Sequence, residues 1–271
     1  MNEILCSTGA LITRQNGLNY RLLPEIAPRL RCDGFEFMMS GSWTDTWEQI
    51  SDEVQKMQLS FPAFHADKRV GELISRNEDG DNEQAARLFE TNCRFAQRIG
   101  STKMVLHLWG GIPSDKNIGN NIAQYKILRE IAENYGLLLT VENVVCNTYA
   151  PLQHFEELKE VYPDISFTFD VRHAQFHDQL DAAFEGRYRE LWNAICHVHI
   201  SDYAGGYMEW GMLRSLHPGE GKIDFEKLFG DLGQVNYKDS FTVEATSVLP
   251  DGSIDFEKLN GTFDYLRGLM K

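Results

Sequence analysis

Six short hydrophobic, β-branched runs in this chain each end near a residue that can bind a metal ion. His65 closes Leu59–Ala66 and His107 closes Met104–Leu108, while Glu142 sits in LLLTVENV, Asp170 in ISFTFDVRH, His199 in ICHVHISDY and Glu244 in SFTVEAT. In a barrel of parallel strands all such ends converge on one rim, where side chains are free for chemistry. The pattern predicts a cage of carboxylates and imidazoles at one end of a parallel barrel.

A chain of 271 residues, 42% of them hydrophobic, is long enough for one eight-fold α/β barrel, so a single domain over residues 1–271 is expected. No stretch approaches the ~20 apolar residues of a membrane span. The N-terminus lacks a basic region followed by an apolar signal stretch, so a cytoplasmic protein is expected. The five cysteines are widely spaced with no CxxC pair, which fits buried free thiols better than a disulfide framework or a thiolate zinc site. A net charge of −14 disfavours nucleic acid and suits a small substrate.

Strand-like runs at Ile4–Ser7, Gly34–Met39, Leu59–His65, Lys103–Leu108, Leu137–Asn143, Ile165–Asp170, Ile195–Ser201 and Ser240–Ala245 alternate with amphipathic stretches. One helix is expected from Asp81 to Ile99, stopping at Gly100, and another over Asn120–Tyr135, stopping at Gly136. Such alternation implies a parallel sheet with right-handed crossovers. An open doubly wound sheet is the competitor, but no glycine-rich phosphate loop follows the first strand, and the candidate residues end six strands instead of meeting at one crevice. The expected fold is a single (β/α)8 barrel.

Residues two apart share a strand face, which puts Thr140 beneath Glu142, Thr168 beneath Asp170 and Thr242 beneath Glu244. Threonine favours strands in any case. Three in register under three carboxylates instead suggest a polar layer inside the barrel. Glu142, Asp170, His199 and Glu244 form a mixed oxygen and nitrogen donor set suited to one divalent ion (Mn, Zn, Co, Mg or Fe). His65 and His107 are candidates for a second metal position bridged by Glu142, or for substrate contacts.

The motifs GFEF, FHA at His65, VLHLWGG at His107, VENV, FDVRH with His173, HVHISD with Asp202, HPGEGKIDF with His217, and VEAT occur in this order over nearly the whole chain. In them the chain resembles the xylose isomerase-like barrel superfamily, which includes sugar-phosphate isomerases, ketose epimerases, inositol-catabolism enzymes and apurinic-site endonucleases. The resemblance implies that Glu142, Asp170, His199 and Glu244 bind one divalent metal. It also implies that Glu142 and Glu244 exchange protons with a sugar from opposite faces, through an enediolate. His173 matches a residue that touches substrate oxygens in the epimerases and binds a third zinc in the endonucleases. Asp202 and His217 are carried over as substrate-binding positions.

Departures from the endonucleases are specific. Leu213 and Ser215 stand near the positions that would complete a third zinc site, with only His217 close by, and Asp67, Lys68, Arg69 and Val70 follow His65 where a DNA-wedging pair is required. Unlike this chain, the ketose epimerases usually lack histidines matching His65 and His107. The expected activity is therefore isomerisation or epimerisation of a small sugar, sugar phosphate or inositol-type substrate. A metal-dependent hydrolase, a dehydratase or lyase on the same barrel, and a barrel that only binds are the alternatives. Trp109, Tyr203, Tyr207 and Trp210 are candidates for an aromatic wall against the sugar, with Trp109 a substrate-binding candidate. Tyr203–Lys222 reads as a lid or a contact in a homodimer or homotetramer. Arg172 and Lys68 are candidates to bind a phosphate or carboxylate, although lone rim cations are more often solvated; His154 and His177 read as ordinary helix residues, and Glu36 as either the floor of the site or a strand cap.

Overall fold

A computed structural model describes residues Asn2–Met270. Eight parallel strands close into a barrel in sequence order: β1 (Ile4–Ser7), β2 (Gly34–Met38), β3 (Ala63–His65), β4 (Lys103–Leu106), β5 (Leu138–Glu142), β6 (Ser166–Asp170), β7 (Ile195–Ile200) and β8 (Ser240–Val243), with β8 returning to pair with β1. Around them lie α1 (Leu23–Ile26), α2 (Trp47–Lys56), α3 (Arg69–Arg76), α4 (Asp81–Arg98), α5 (Ile118–Asn134), α6 (Pro151–Val161), α7 (Val171–Phe176), α8 (Phe225–Gln234) and α9 (Phe256–Leu269).

The runs expected as strands all enter the barrel, but most are shorter than their hydrophobic patterns. His107 and Glu244 each lie just beyond the last residue of a strand. The helices α4 and α5 end before Gly100 and Gly136, which take φ of +83° and +70°, backbone that a β-carbon disfavours. Two crossovers depart from the strand-then-helix expectation. Between β1 and β2 the chain forms 3-10 turns and the short α1, interrupted by Pro24 and Pro28. After β6, α7 gives way to the 3-10 segments Ala182–Phe184 and Gly186–Asn193. Proline removes a helical donor and fixes φ, and Gly186 enters its segment at φ +49°, so neither stretch propagates an α-helix.

Outward-facing strand residues make the apolar shell. Phe37, Phe64 and Phe95 pack ring on ring, and Phe155 of α6 stacks on Phe167 of β6 with centroids 3.9 Å apart. Each fully buried phenylalanine contributes roughly 1.5–3 kcal/mol. All five cysteines are free, and Cys6, Cys93 and Cys146 are buried.

The barrel interior is polar. Thr140 and Thr168 hydroxyls bond each other at 2.7 Å, and Thr242 reaches His197 Nε2 at 3.0 Å and Glu36 Oε2 at 3.3 Å. These threonines bond sideways across the interior and form a polar layer there. At the opposite end Lys103 reaches across to the Cys196 carbonyl. Among the described residues no helix is long and apolar enough to cross a membrane.

Candidate metal centre

Strand register sets the site. Asp170 pairs with His199, and Thr168 pairs with Glu142, so the last residue of β5, the last of β6 and the penultimate residue of β7 project inward side by side. One ligand atom from each of Glu142, Asp170 and His199 lies within 4.8 Å of the others, and all three residues are buried. Glu244 approaches this set through His199, with its Oε1 3.5 Å from Nδ1. His65 and His107 converge on the other oxygen of Glu142, their Nε2 atoms 3.3 and 2.9 Å from Oε2, and these three form a second compact group. Glu142 therefore belongs to both.

Glu36 lies beneath. Its Oε2 accepts from His197 at 2.8 Å and from His199 Nε2 at 3.2 Å, while its Oε1 has no partner. Burial alone would raise the Glu36 carboxyl, but the two imidazoles outweigh it and hold the group well below the usual range. Burial likewise opposes ionisation of Glu142 and is outweighed by His107 and His199. Desolvation pushes His107 down to about 3 and His197 down to about 4, so both are neutral at pH 7. Desolvation also works against the charged form of His199, yet Glu36, Glu244 and Glu142 together raise it well above the ordinary imidazole range.

The donor chemistry fits a divalent cation. His65 Nδ1 faces the Ala66 carbonyl at 2.9 Å, which assigns the ring proton to that nitrogen and turns the Nε2 lone pair toward Glu142 Oε2. Two acceptors then face each other, an arrangement a cation between them relieves. His199 repeats the logic: Nε2–H is held by Glu36, and Nδ1 faces Glu142 Oε1 at 3.4 Å. Fixing one imidazole nitrogen through a carboxylate is how proteins orient a metal-binding histidine. A metal ion at Nδ1 would take the place of a proton there.

Residues 25–258 match the family described as xylose isomerase-like TIM barrel. The chain belongs to that family. It is 28% identical over 164 residues to an uncharacterised protein of Methanocaldococcus jannaschii, covering 56% of this chain and 54% of that one. The chain spans about half the length of the curated relatives it matches. Among solved structures it is similar to the IolI protein with a bound zinc atom (TM-score 0.74, 16% identity, 99% of this chain and 98% of that one). It is also similar to the 3-keto-D-glucoside 4-epimerase of E. coli (0.68, 16%, 99% and 100%) and to a D-psicose 3-epimerase of Clostridium cellulolyticum (0.72, 12%, 99% and 99%).

Within this family member several sequence expectations are corrected. Trp109 does not form a wall of the cavity: it is fully buried, donates its indole N–H to the Val144 carbonyl at 3.0 Å and packs on His154. Tyr203 is buried too, and only Tyr207 and Trp210 are exposed. Asp202 fastens a loop, accepting backbone N–H groups from Tyr203, Gly219, Gly221 and Ile223 at 2.7–3.1 Å. His217 bonds Thr262 and Ser247, so both ring nitrogens are engaged within the fold. His173 does face the cage, with Nδ1 3.5 Å from Glu142 and 3.6 Å from Asp170. Arg172 is not a solvated rim cation; it is buried between Asp170 and Glu244. His154 is a fully buried anchor bonded to Asp115, whose carboxylate also holds the backbone of Asn147, Thr148 and Tyr149. His197 was not singled out, although its alternation with His199 in ICHVHI placed it on the same face.

Proposed function

We propose that the chain is a divalent-metal-dependent isomerase or epimerase of a small carbohydrate. The observation that carries this reading is the convergence of two glutamates from opposite sides of the barrel, Glu142 at the end of β5 and Glu244 after β8, on one imidazole, His199, at 3.4 and 3.5 Å. Glu142, Asp170, His199 and Glu244 would hold the ion, which when bound supplies Lewis acidity that makes a C–H beside a carbonyl easier to ionise. One glutamate removes that proton and the other returns it from the opposite face, which inverts the carbon or moves the carbonyl through an enediolate. The solved structures that support the reading are sugar epimerases by name.

Turnover in D2O tests it. A sugar or sugar phosphate converted by the wild-type protein is expected to carry solvent deuterium at the carbon next to the carbonyl. Conversion without deuterium would replace proton transfer by a hydride shift.

The grouping of His65 and His107 on Glu142 favours a second reading, a two-ion hydrolase of the nuclease kind. His65→Ala or His107→Ala is expected to lower metal content, measured on protein purified without chelator, from two equivalents to one. Loss of all metal in both variants would mean that the primary position is assigned wrongly. Cleavage of an abasic duplex by the wild type would decide for hydrolysis.

A further inference from the structure

Arg172 is a buried guanidinium inside a cage of acids, and its contacts are unlike those of the other arginines. On the surface, Arg21, Arg76 and Arg129 grip carboxylates at 2.7, 2.5 and 2.6 Å, the short geometry of a charge-assisted pair. Arg172 Nη2 instead stands 3.4 Å from Asp170 Oδ2 and 3.7 Å from Glu244 Oε2, and its one close contact is to His173 Nε2 at 3.1 Å. Its Nε has no partner although it is buried. A guanidinium this deeply placed with unused donors is costly unless something else meets them. Of the cage side chains, Arg172 and Glu244 are the most accessible, at 11% and 9%, so a ligand arriving from the rim reaches them first.

Position narrows the chemistry. Arg172 is the residue between Val171 and His173 at the start of α7, two residues after Asp170, and it touches two carboxylates of the cage. Anything it binds therefore lies beside the reacting end of a substrate held there, not at the far end of a sugar chain. A planar fork of N–H donors suits a carboxylate or a phosphate, and beside Asp170 and Glu244 the singly charged carboxylate meets less repulsion than a doubly charged phosphate. The neighbouring acids do not complete that fork, because their distances leave it loose.

We propose that Arg172 is a substrate-binding, specificity-determining residue that selects an acidic sugar, one whose carboxylate is attached to the carbon next to the reacting centre. This rests on the isomerase reading for the presence of a reacting carbon, but its test does not depend on turnover. Two probes differ only at that group: 2-keto-D-gluconate, and D-fructose, in which the carboxylate is a hydroxymethyl. Their dissociation constants on Mn²⁺-loaded protein are measured by calorimetry. The wild type is expected to prefer 2-keto-D-gluconate by about tenfold to a hundredfold, the range for a hydrogen bond to a charged group. Arg172→Met should abolish the preference and Arg172→Lys should keep part of it, with metal content checked in each. A purely structural role would weaken both probes alike and leave their ratio unchanged, which would overturn the proposal. Equal binding of the two probes by the wild type, or binding of neither, would overturn it also. That outcome needs no variant to fold. Should the wild type exchange deuterium into neutral ketoses while showing no preference for the acid, the isomerase reading would stand and this inference would fall.

Discussion

Glu142→Gln is expected to remove turnover by about 10²–10⁴-fold from loss of the proton acceptor alone, and to lose metal as well. The second effect follows from the double membership of this side chain. Its Oε1 faces His199 at 3.4 Å and His173 at 3.5 Å, while its Oε2 faces His65 and His107 at 3.3 and 2.9 Å. An amide has one oxygen to offer, so whichever way it is turned, an NH2 group faces one set of imidazoles. Glu244→Gln removes the partner base and should reduce kcat by a similar factor, yet among the described residues Glu244 pairs with His199 and Arg172 and with neither His65 nor His107, and the variant should retain more metal. Elemental analysis beside kcat separates the two variants. A Glu142→Gln protein within tenfold of wild type would show that this residue neither moves a proton nor holds an ion that matters.

The second large effect is structural. Asp202→Asn should destabilise the protein by about 2–4 kcal/mol, because each buried N–H left without an acceptor costs roughly 1–3 kcal/mol. Asp202 is fully buried; its Oδ1 takes the N–H groups of Tyr203 and Ile223, and its Oδ2 those of Gly219 and Gly221. In asparagine one of these oxygens becomes a donor and two backbone N–H groups meet an NH2. The surroundings leave little room to rearrange, since a β-carbon at Gly221 would stand 2.4 Å from Asp202 Oδ1 and 2.5 Å from the Tyr203 carbonyl. Urea unfolding followed by circular dichroism gives the difference, and a change under 0.5 kcal/mol would mean that the loop is held by its other contacts.

The fold was legible because its signal is local. Each β-branched run is short enough to read by eye, and its ligand-type terminus marks the direction of the strand. The irregular crossovers after β1 and β6 were not, since an amphipathic stretch does not reveal that a proline or a left-handed glycine will divide it. The gathering of Glu142, Asp170 and His199 could be anticipated from strand ends alone. The place of Glu36 at the floor was one of two readings of GFEF, but its pairing with His197, and the burial of Arg172, could not be read, because they depend on partners that the barrel brings together only on closing: Glu36 meets His197 across 161 positions of sequence. Trp109, Asp202 and His217, by contrast, bond within the fold. A polar or aromatic residue near the rim serves the loops as readily as a ligand, and only its bonding partners distinguish the two.

The polar interior has a bearing on how the barrel finds its own alignment. Where a barrel is filled with interchangeable aliphatic side chains, sliding one strand by two residues exchanges one hydrocarbon for another and is penalised weakly. Here such a slip would part Thr140 from Thr168 and strip Glu36 of His197, leaving an ionised acid alone in the dark of the barrel. The hydrogen-bonded column thus works as a combination lock: among the staggers that eight strands can adopt, one setting joins Thr140 to Thr168 and Glu36 to its histidines, and it is the setting that also lines up the rim.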